Sequence, residues 1–75
     1  MEFKQYKRKG LSEMVEWKNV PKGDRGLCSI SQPDQQLFID NPEEFELGYL
    51  ARNPKNHEDT WYVAKKYFDE NLEPA

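Results

Sequence analysis

Aromatic side chains recur along the whole chain, at Phe3, Tyr6, Trp17, Phe38, Phe45, Tyr49, Trp61, Tyr62, Tyr67 and Phe68. No other feature restricts the fold as much. The chain has 75 residues, 36% hydrophobic and 33% charged. A domain of that size hides only about 60% of its unfolded surface. So polar a composition would by itself lean towards disorder. Rings bury much area per residue, so a stable core here must be built largely from them. The expectation is one small domain over 1–75, with ends flexible over about 1–3 and 73–75.

Cys28 is the only cysteine, so no intrachain disulfide can staple that core. The basic start, MEFKQYKRKG, is followed by no apolar stretch, and a signal peptide is not expected. No apolar run approaches the roughly 20 residues of a membrane span. A soluble protein of a reducing cytoplasm, with no membrane partner, is the expectation. Charge is unevenly placed. Residues 1–25 hold seven basic and four acidic residues, and residues 26–75 hold four basic and ten acidic. Such a chain can pair with itself or offer an acidic face to a basic partner. Its overall acidity argues against general nucleic-acid binding.

Phe3–Lys9 mixes rings with long basic side chains and reads as an edge strand guarded by lysine. Ser12–Lys18 places Val15 and Trp17 on one strand face, although Leu11, Met14 and Val15 also fit helical spacing. Asn19–Asp24 has loop composition. Leu27–Gln32 reads as a short strand that Gln32-Pro33-Asp34 breaks, and Leu37-Phe38-Ile39 as a short buried strand. Asn41 can cap a helix, with Pro42 at its first position and Glu44 at its third. Gly48 supplies the stop, which predicts one helical turn over Pro42–Leu47.

Gly48–Arg52 and Thr60–Ala64 read as two strands joined by a polar turn over Asn53–Asp59. In the second strand, Trp61 and Val63 share a face and Tyr62 takes the other. One short helix cannot cover both faces of a sheet, so either Trp61 or Tyr62 is expected to be exposed and to serve as an interface anchor. A final helix over Lys65–Glu73 must pack its Tyr67/Phe68/Leu72 stripe on the sheet, being too short to persist alone. The predicted fold class is α+β, a small antiparallel sheet of three to five strands with a C-terminal helix on one face.

Chemistry is sparse. His57 is the only histidine. A zinc site needs three or four ligands at suitable spacing, so no metal and no cofactor is expected. Cys28 and His57 are the sole thiol–imidazole pair, and Cys28 in an apolar pattern reads as a buried, inert thiol. Glu43, Glu44 and Glu46 are accounted for by the helix start they surround. The four glycines are scattered and form no phosphate loop. No catalytic residue is assigned and no enzyme is expected. Contact residues are placed at Arg52, His57, Trp61 and Tyr62. A nucleic-acid alternative uses Lys4, Lys7, Arg8 and Lys9 interleaved with Phe3 and Tyr6.

KQYKRKGLSEMVEW near the start and GYLARNPKNHEDTWYVAKKYFDENLE at the end resemble a group of small proteins encoded by tailed bacteriophages and prophages. The closing match covers about a third of the chain. Residues Asn19–Leu47 have no counterpart there. The resemblance implies a phage origin, a bacterial host cytoplasm and an accessory role in infection, and carries over no catalytic residue. The expected function is therefore non-enzymatic protein–protein interaction with a host or phage protein. A homodimer pairing residues 1–25 with the acidic half of a second chain is the structural alternative.

Overall fold

The computed structural model describes residues 2–7 and 11–74. Five strands form one sheet in the order β4-β3-β2-β1-β5. They are β1 Lys4–Lys7, β2 Leu11–Glu16, β3 Tyr49–Asn53, β4 Asn56–Val63 and the two-residue β5 Glu73–Pro74. All neighbours are antiparallel. Three helices, α1 Gln32–Asp40, α2 Pro42–Phe45 and α3 Lys65–Asn71, join two 3₁₀ segments, Trp17–Asn19 and Lys22–Leu27. The chain is thus α+β, with an antiparallel sheet and a C-terminal helix packed on one face.

The sheet is two local hairpins joined at a seam. β1 pairs with β2 and β3 with β4, while β2 and β3 meet from Glu13↔Arg52 to Glu16↔Tyr49. Residues 17–48 leave the seam at one end and return beside it. Their exit and re-entry are tied together by the Trp17 N–H, which donates to the Gly48 carbonyl at 2.9 Å.

Strand alternation sorts the core into two clusters. Val15, Leu50 and Tyr62 are cross-strand neighbours on one face. The 17–48 excursion folds over them with Trp17, Val20 and Phe45. Phe45 stacks on Tyr62 at 4.0 Å, and Trp17 meets both edge-on at 5.4 and 5.1 Å. Met14, Ala51 and Val63 form the other cluster, under Phe68 of α3 and Leu72 just past its end. Phe68 stacks on Tyr49 at 3.9 Å and meets Tyr6 edge-on at 4.8 Å. Tyr67 stays 44% exposed, so the predicted stripe narrows to Phe68 and Leu72.

The capping reading of Asn41 holds. Its side-chain oxygen accepts the Glu44 N–H at 3.3 Å, with Pro42 opening the helix. Gly48 ends that turn and is a junction. Its N–H donates to the Phe45 carbonyl, which also accepts the Tyr62 hydroxyl at 2.6 Å. A Cβ at Gly48 would lie 2.6 Å from the Val63 carbonyl and 2.5 Å from the Tyr62 ring. Glycine is there for close approach, since no glycine among the described residues has a positive φ.

Several local expectations are corrected. β1 is no edge strand, because β5 pairs with it opposite β2. Arg8, Lys9 and Gly10 lie outside the described residues. Glu73–Pro74 pairs with Tyr6 and Lys7. Leu27–Gln32 forms no strand. Ser29 alone bridges Trp61, its N–H donating to the Thr60 carbonyl and its carbonyl accepting the Tyr62 N–H.

Gln32-Pro33-Asp34 starts a helix rather than breaking a strand. Proline in a first turn forfeits no helical hydrogen bond. Leu37-Phe38-Ile39 lies inside that helix, α1: Leu37 packs on the core, the exposed Phe38 only meets Phe45 edge-on at 5.2 Å, and Ile39 faces solvent. The hairpin turn is also tighter than Asn53–Asp59. Asn53 pairs with Asn56, and His57, Glu58 and Asp59 are extra residues of β4 where the register shifts. The Asn53 and Asn56 side chains accept the N–H groups of Lys55 and Glu58, the local bonding by which asparagine sets turns.

Candidate interaction surface

Arg52 and His57 converge on one carboxylate. Arg52 Nε donates to Glu13 Oε1 at 2.8 Å, and His57 Nε2 stands 3.3 Å from the same oxygen. The Arg52 guanidinium lies over the Phe3 ring at 3.9 Å, a cation–π contact. The sequence brings these groups together by register, since Glu13 and Arg52 are cross-strand partners. The extra residues of β4 deliver His57. This cluster ties β2 to β3 and β4 at the end of the seam nearest the β3–β4 turn.

The other two predicted contact residues separate. Trp61 is half-buried on the α3 face, against the Met14/Ala51/Val63 cluster. Tyr62 is only 4% exposed and offers no contact surface. Burial foremost, then the carboxylates of Asp34, Glu44 and Glu46, push its phenol far above its ordinary pKa. The expectation that one of the pair would be exposed fails because both faces are covered, one by α3 and the other by the 17–48 excursion.

In the nucleic-acid pattern, Lys4 is exposed, Lys7 lies in β1, and Arg8 and Lys9 are outside the described residues. The two rings of that pattern are engaged internally, Phe3 under Arg52 and Tyr6 against Phe68.

Cys28 and His57 have different partners. The thiol donates to the Arg25 carbonyl at 3.2 Å and packs beside the Trp17 cluster. Burial pushes its pKa up, and a protonated thiol is a poor nucleophile. Native protein at neutral pH is therefore expected to react with a disulfide reagent at least about tenfold more slowly than urea-unfolded protein. Equal rates would contradict this placement of the thiol. Among the described residues, no three or more His, Cys, Asp or Glu side chains are grouped to hold a metal ion.

The surface that sequence reasoning missed is on α1. Phe38 and Ile39 are 55% and 70% exposed. They border an apolar groove of about 670 Å³ between α1 and the Lys22–Leu27 segment. Trp17, Ile30 and Phe45 also line it. Its walls are held by Arg25, whose guanidinium donates to Glu46 at 2.9 Å and to the Trp17 carbonyl at 3.1 Å. The signal was present as Ser31-Pro33-Asp34. The Ser31 hydroxyl donates to Asp34 Oδ2 at 2.8 Å, and its carbonyl accepts the Gln35 N–H. That pattern opens a helix, and consecutive residues 37, 38 and 39 of a helix cannot all face one core.

Comparison with family models, with curated proteins and with solved structures finds no match for this chain. No helix among the described residues is long and apolar enough to cross a membrane.

Proposed function

We propose that the chain is a non-enzymatic accessory protein, of tailed-bacteriophage or prophage origin, that works in the bacterial cytoplasm by docking on another protein. The observation that carries this reading is the pair Phe38 and Ile39, exposed beside an open apolar groove. Apolar side chains clustered at a surface groove cost solubility and are retained where a partner covers them. The phage origin is supported by the wording of the opening and closing segments. The absence of catalysis is supported by the inert setting of Cys28 and by the engagement of His57 with Glu13.

The test is cross-linked capture from a bacterial lysate, with wild type beside a Phe38→Ser/Ile39→Ser variant shown by circular dichroism to be folded. Wild type is expected to retain a discrete protein that the variant loses. Wild type that retains no discrete protein from bacterial hosts would contradict the docking role. Equal retention by both would move the docking surface off α1.

A further inference from the structure

We draw no further inference here: the strongest candidate, the apolar groove between α1 and the Lys22–Leu27 segment with Phe38 and Ile39 at its border, carries nothing beyond the docking role, since its charged lining of Lys22 and the Arg25–Glu46 pair selects no partner and nothing in the structure shows what covers it.

Discussion

Phe45→Ala is expected to leave much of the chain unfolded at room temperature. Phe45 is 2% exposed and stands at the centre of a ring cluster, against Tyr62, Trp17 and Phe38. Its loss costs about 3–5 kcal/mol through burial and cavity. Lost ring geometry, about 0.5–1.5 kcal/mol per pair, puts this site at the upper end of that range. A small domain has about 0.05–0.15 kcal/mol per residue of net stability, which for 75 residues is the same order as the loss. There is no second core on that sheet face to absorb the damage. Phe45 is also the residue through which α2 closes the excursion over β3 and β4. Urea unfolding followed by near-ultraviolet circular dichroism reads the effect. A variant whose stability falls by less than about 1 kcal/mol would show that the excursion does not form the core of that face.

Gly48→Ala is expected to be far more damaging than the same change at Gly23 or Gly26. The new methyl would lie 2.5 Å from the Tyr62 ring and 2.6 Å from the Val63 carbonyl. Neither neighbour can give way cheaply. Tyr62 is pinned by its hydroxyl on the Phe45 carbonyl, and Val63 belongs to the β4 ladder opposite Tyr49. Overpacking of this kind costs about 1–3 kcal/mol and sometimes more. At about 4–8 °C per kcal/mol for a domain of this size, the melting temperature should fall visibly. Gly26→Ala is the control, with open space for its methyl and an expected change within about 0.5 kcal/mol. Combining Gly48→Ala with Tyr62→Phe should recover only part of the loss, because the Val63 carbonyl remains. Equal melting of Gly48→Ala and Gly26→Ala would contradict the tight packing at this junction.

Local rules with a single strong physical cause were readable from the sequence. Asn41-Pro42-Glu44 fixed α2 because each residue satisfies or omits a backbone donor at a helix start. The alternation at Trp61, Tyr62 and Val63 correctly assigned sheet faces. It could not say what covers each face, and that depends on where 32 residues between two strands fold back. Leu37-Phe38-Ile39 misled for a related reason. Three adjacent apolar residues carry no period, so strand and helix fit equally, and the assumption that all three are buried decided wrongly. The groove followed from that helix and was missed with it. Arg52 and His57 were singled out, but Glu13, the carboxylate that joins them, became visible only through the β2–β3 register.

The seam between the hairpins has a consequence for how such a chain can change over evolutionary time. β1 to β4 and α3 form one framework, whereas Asn19–Leu47 falls in the excursion that begins and ends beside Glu16 and Tyr49. A framework with adjacent exit and re-entry points can accept a replacement insert at little cost in chain entropy, since loop closure grows only with the logarithm of length. The insert must still deliver two rings over Val15, Leu50 and Tyr62, the places now filled by Trp17 and Phe45. Everything on its outer side is free to diverge. A sequence that kept the ARNPKNHEDTWYV hairpin would therefore be expected to differ most where this chain exposes Phe38 and Ile39.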